Sequence, residues 1–137
     1  MHITRNNLDT NPGPGDWFTG SVFVDTVAAP SEGSQVGAAS VHFTPGARTA
    51  WHTHPHGQTI WVTEGVGLCQ RQGGPIEVIR PGDRVFFEPG ENHWHGATPT
   101  RFMTHRDAAG RRQRRRRRVG PPRRRRGVRA GAVAQGR

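Results

Sequence analysis

Apolar residues in this chain recur in short alternating runs, broken by glycine and proline every 8–12 residues. Ser21 to Val27 puts Val22 and Val24 on one face. Gln35 to Thr44 puts Ala39, Val41 and Phe43 on one face and Ser40 and His42 on the other. Further runs cover Arg48 to His54, Gln58 to Thr63, Val66 to Gln70, Ile76 to Ile79, Arg84 to Phe87, His93 to Ala97 and Arg101 to His105. Pro45-Gly46, Glu64-Gly65, Gly73-Gly74-Pro75, Pro81-Gly82-Asp83 and Pro89-Gly90 supply the turns between them. Period-two alternation in pieces this short predicts strands, and many of them at even spacing predict an all-β sandwich or barrel. No stretch before residue 106 carries a helical period, and no internal repeat is present. The polar leader, residues 1–15, ends in Asn11-Pro12-Gly13-Pro14-Gly15 and reads as an arm with little structure of its own.

Charge divides the chain in two. Residues 1–105 hold six Arg and nine Asp or Glu, a net of −3, whereas residues 106–137 hold 14 Arg and one Asp, a net of +13. The basic total therefore belongs to a tail and not to the domain at residues 16–105. Cys69 is the single cysteine, so no internal disulfide forms and an oxidising compartment is not indicated. The start lacks the apolar segment of a secretion signal, and no run reaches the length of a membrane span. The expectation is a cytoplasmic protein without membrane contact.

The chemistry-bearing residues are histidines in i, i+2 pairs. His52 and His54 share one face of an extended segment, with Gln58 just beyond a turn, and His93 and His95 form a second pair. A lone inward histidine is most often a hydrogen-bonded core residue. Four in a small barrel would be costly to bury without a cation to accept their lone pairs. Imidazole and amide donors without a thiolate suit Mn, Fe, Co, Ni or Zn. His95 and His105 are placed for proton transfer, since an imidazole titrates near neutral pH. Ala39, Val41 and Phe43 line an apolar cavity if their face is inward, or serve as plain core. His56, in the turn, and His42 and His2 are expected at the surface. Trp17, Phe18, Trp51, Trp61 and Trp94 are expected to pack between layers or across a subunit interface.

The spacing Gly46-x5-His52-x-His54-x3-Gln58-x6-Gly65, followed by Gly82 to Pro89-Gly90-x2-His93, resembles the paired signatures of the cupin superfamily. The resemblance implies a jelly-roll β-barrel holding one divalent metal. Two positions depart from the usual pattern: Gln58 stands where a glutamate is customary, and Glu88 where a proline is. A neutral amide would leave more positive charge on the ion, favouring Lewis-acid chemistry at some cost in affinity. The runs Asp16 to Gly20, Pro45 to Pro55, Gly57 to Thr59 and Gly90 to Ala97 further resemble a subgroup of small bacterial cupins that includes manganese-dependent hydroxynitrile lyases. That resemblance implies His52, His54, Gln58 and His93 as ligands to manganese. It also implies His95 and His105 as acid/base groups, Ala39 and Val41 as substrate-facing wall, and a small-molecule cyanohydrin or aldehyde as substrate; a homodimer is expected. A dioxygenase or isomerase using the same open metal positions, and a non-catalytic small-molecule-binding cupin, are the competing expectations.

Residues 106–137 match neither the domain nor the family. The runs Arg114 to Arg118 and Arg123 to Arg126 bury no apolar surface and predict disorder. The Arg, Gly, Pro and Ala content is what out-of-frame translation of a GC-rich gene yields, and the change at Arg106 is abrupt. We read the tail as a frameshift product; the alternative is a nucleic-acid-binding tail held by phosphate contacts.

Overall fold

In the computed structural model, residues 1–5 and 9–110 are described. The disorder and nucleic-acid expectations for residues 111–137 lie outside them. The described residues form eleven strands: β1 (Asn11–Pro12), β2 (Phe18–Thr19), β3 (Val22–Ala28), β4 (Val36–Phe43), β5 (Arg48–Thr49), β6 (Gln58–Gly65), β7 (Gly67–Arg71), β8 (Glu77–Ile79), β9 (Arg84–Phe87), β10 (His93–Ala97) and β11 (Met103–Gly110). They make two antiparallel sheets, ordered β1-β3-β4-β11-β6-β9 and β2-β5-β10-β7-β8. The all-β jelly-roll expectation is met, and no described element is a helix.

Alternation explains the packing. Val22, Val41, Phe43, Ile60, Val62, Cys69, Ile79, Phe87 and Met103 turn inward and form one buried cluster between the sheets. Their strand neighbours Phe23, Trp61 and Phe86 are exposed on the outer face of the six-stranded sheet. Phe18 meets Phe43 edge-on at 5.9 Å. Trp94 is buried, donates its Nε1–H to Gln70 Oε1 (2.9 Å) and lies under the Arg48 guanidinium. Trp17, Trp51 and Trp61 are exposed on the single chain.

Three boundaries differ from the sequence expectation. The run Arg48 to His54 is a strand only at Arg48–Thr49; beyond it a single bridge, His52 to His93, ties the chain to β10. The leader is not wholly unpaired, because Asn11 and Pro12 pair with Val24 and Phe23 at a sheet edge, where a proline's missing N–H is harmless. The domain also runs past His105. Residues 106–110 complete β11, which sits between β4 and β6 and pairs with both. Five residues assigned to the tail by composition are thus central sheet.

Candidate metal centre

β11 inserts Met103, His105 and Asp107 on the inward face of the sheet, with His105 opposite Val41 and Val62, and Asp107 opposite Ala39 and Ile60. On the other sheet, β10 carries His93 and His95, paired with Arg71 and Cys69 of β7. Reciprocal backbone bonds, His52 N–H to His93 O (2.9 Å) and His93 N–H to His52 O (3.0 Å), fasten the 50–57 segment beside β10. The Gly90 N–H donates to His54 O (3.0 Å), which fixes its far end. Gly57 turns that segment into β6 at φ +77°, where a Cβ would lie 2.7 Å from Phe87 O. Only glycine can deliver Gln58 into the site there.

The histidines converge. The nearest ring nitrogens of His52, His93 and His95 all fall within 4.8 Å of one another. His54 packs against this trio, its ring centroid 4.9 Å from that of His52 and 5.6 Å from that of His93. The His95 ring lies 5.5 Å from that of His52 and 5.8 Å from that of His93, so His54 and His95 flank the His52–His93 pair at similar ring distances. His93 stacks flat on Phe87 at 3.6 Å. His105 Nε2 lies 3.2 Å from His95 Nδ1, and Phe43 covers both rings at 5.4–5.9 Å. Val41 and Phe43 are buried and Ala39 half-buried, on the face expected for them. Phe43 and Val41 are also core. His56 and His2 are exposed, as expected. His42 is half-buried, bonded to Asp25 Oδ2 (2.9 Å) and Thr104 Oγ1 (3.2 Å), so its structural role exceeds that of a bare surface residue.

Burial keeps the inner histidines neutral. It pushes His93 down to about 4, with His52 and His54 adding to the effect against the Glu91 carbonyl. It pushes His105 down to about 3, and takes His95 well below the usual range with help from His105 and His52. A neutral imidazole has one N–H. Yet both nitrogens of His93 face a carbonyl oxygen: Nδ1 meets Glu91 O at 2.8 Å, and Nε2 meets Gln58 Oε1 at 3.2 Å. The shorter bond takes the proton, so the Nε2 lone pair and the amide oxygen point into the same space. The His52 Nδ1 is likewise held by a backbone carbonyl, Ala50 O, at 2.8 Å, which fixes the orientation of its ring. His95 Nε2 is buried with no hydrogen-bond partner among the described residues. Converging nitrogen and oxygen lone pairs repel each other unless a cation lies among them, so these residues fit a divalent metal.

Composition hid Asp107. Its Oδ2 accepts from Gln58 Nε2–H (2.9 Å) and its Oδ1 from Ala39 N–H (2.9 Å). The available signal was its solitary carboxylate two residues after His105, in phase with the inward face of β11.

A two-sheet antiparallel barrel whose inward histidines meet across the sheets defines a cupin, and the chain belongs to that family: the Cupin domain matches residues 39–104. It is 60% identical over 106 residues to the (R)-mandelonitrile lyase of Granulicella tundricola, covering 77% of this chain and 81% of that one. A cupin-like protein from Thermotoga maritima superposes with a TM-score of 0.72 at 36% identity, over 77% and 80% of the two chains. A cupin 2 conserved barrel domain protein from Rhodopseudomonas palustris gives 0.66 at 18% identity, over 78% and 75%.

Proposed function

We propose that this protein is a manganese-dependent hydroxynitrile lyase, cleaving a small cyanohydrin to an aldehyde and hydrogen cyanide. The observation that carries the reading is the convergence of His52, His93 and His95 beside the buried His95–His105 pair. The 60% likeness to a mandelonitrile lyase supports the substrate class. His52, His54, Gln58 and His93 would hold the metal. When bound, that ion supplies Lewis-acid polarisation of the substrate's hydroxyl or carbonyl oxygen.

The chain's own residues do the rest. His95 accepts the hydroxyl proton at Nε2, the atom that faces the cluster as a lone pair. Its Nδ1 proton can then move 3.2 Å to His105 Nε2, which spreads the charge over two rings. As the carbon–cyanide bond breaks, its electron pair leaves with cyanide, and the imidazolium returns the proton to give hydrogen cyanide. Ala39, Val41 and Phe43 form the apolar wall that excludes water from the ring of an aromatic substrate. The exposed Trp61 and Phe86 on the outer sheet face support a homodimer, to be tested by sedimentation.

The deciding experiment loads the chelated protein with Mn(II) and follows cyanide release from racemic mandelonitrile. Release that depends on metal and disappears in His95→Ala supports the lyase. No release, with oxygen uptake on a diketone substrate, would replace it with a dioxygenase; binding of small oxygenated molecules without either would replace it with a non-catalytic cupin.

A further inference from the structure

An amide ligand has a problem that a carboxylate lacks: one of its two ends is the wrong one. If Gln58 turned its NH₂ toward His93, two donors would face the space the cation needs. We propose that Asp107 is the positioning residue that fixes the Gln58 amide oxygen-inward, and so makes the glutamine usable as a metal donor. The inference rests on the metal reading above and goes beyond it.

The hydrogen bonds leave one solution. Asp107 Oδ1 is engaged by the Ala39 N–H at 2.9 Å, which pins the carboxylate to β4. Its Oδ2 lies 2.9 Å from Gln58 Nε2. An ionised carboxylate only accepts, so the end of the amide facing it must be the NH₂. Oε1 is then directed to His93, as observed at 3.2 Å. The same contact places a carboxylate one hydrogen bond behind the neutral amide. Through it the amide oxygen is polarised and part of the charge lost with a glutamate ligand is recovered at one remove. β11 supplies the geometry: Asp107 pairs with Ala39 on one side and Ile60 on the other, so its side chain rises between β4 and β6 toward Gln58.

The test compares Asp107→Ala in two backgrounds, using Co(II) as the probe and reading affinity by competition together with the visible ligand-field spectrum. In the otherwise unchanged protein, Asp107→Ala should weaken Co(II) binding by about 10–100-fold and alter the spectrum as the oxygen donor is lost. Asp107→Asn should lie between, since its one oxygen cannot accept from both Ala39 and Gln58. In a Gln58→Glu background, either carboxylate oxygen serves and Asp107 becomes a repelling neighbour. There Asp107→Ala should leave affinity unchanged or raise it. The proposal is overturned if Asp107→Ala binds Co(II) within twofold of the parent, or weakens it equally in both backgrounds, as a general folding defect would. Failure of the parent protein to bind Co(II) would overturn this inference and the metal centre together. Absence of cyanide release with the affinity pattern intact would overturn the lyase alone.

Discussion

Acid should unfold the metal-free barrel through its inner histidines. The perturbation is a drop from pH 7.5 to 5.0 in chelator-treated protein. His93 and His105 are both fully buried and are held down to about 4 and about 3, against 6.5 for the unfolded chain. Below 6.5 the unfolded chain therefore binds protons that the folded chain refuses, and stability falls as pH falls. The stabilising contribution is complete above about pH 7.5 and is lost progressively from 6.5 down to the folded values. At pH 5.0 each group has moved 1.5 units below its unfolded value, at about 1.36 kcal/mol per unit, or about 2 kcal/mol each. Together they remove about 4 kcal/mol, and His95 acts in the same direction. Set against the 5–15 kcal/mol typical of a domain, that is a large share. With a urea slope of roughly 1–3 kcal/mol/M, the unfolding midpoint should drop by about 1–4 M. Adding Mn(II) should restore part of the loss, because the ion and protons compete for the His93 lone pair. A midpoint that is the same at both pH values, with the slope unchanged, would refute the burial argument.

Three further outcomes follow from the same geometry. His105→Ala should lower cyanide release by about 10²–10⁴-fold with metal content near that of the parent, if His105 shares the proton; loss of metal with no other change would make it a ligand-orienting group instead. Burial pushes the Cys69 thiol up to about 11, so iodoacetamide at pH 7.5 should label the denatured chain and spare the folded one; rapid native labelling would contradict its place in the core. A chain ending at Gly110 should fold and lose any affinity for DNA, while the full chain's affinity should fall steeply between about 50 and 200 mM salt if the Arg runs engage phosphates; equal binding by the two would exclude the tail as the contact.

Much of the fold was legible because inward and outward residues alternate along the first half of β6 and at the end of β4, Val41 to Phe43, and the turns carry glycine at their left-handed positions. The histidine cluster was legible for the same reason, since i, i+2 pairs share a face. What escaped is non-local. Arg48 to His54 alternates like a strand, but only its first two residues find ladder partners, so His52 is placed by a bridge to His93 and not by a continuous strand. That placement packs the His54 and His95 rings alike around the His52–His93 pair. Asp107 was obscured by the arginines after it, because composition averages over a window and strand pairing does not.

The position of β11 has a consequence for biosynthesis. It is the last strand described, yet it lies in the middle of its sheet, between β4 and β6. Until it emerges from the ribosome, those two strands face each other across a gap one strand wide, each with an unpaired edge. From residue 65, the end of β6, to residue 110, the end of β11, translation must add 45 residues. At about 5–20 residues per second this leaves the nascent sheet open for roughly 2–9 s. During that interval both edges are templates for a strand from another chain. The barrel therefore closes only when the stretch bearing His105 and Asp107 arrives, so the structure and its candidate proton-transfer and positioning groups are completed by the same few residues.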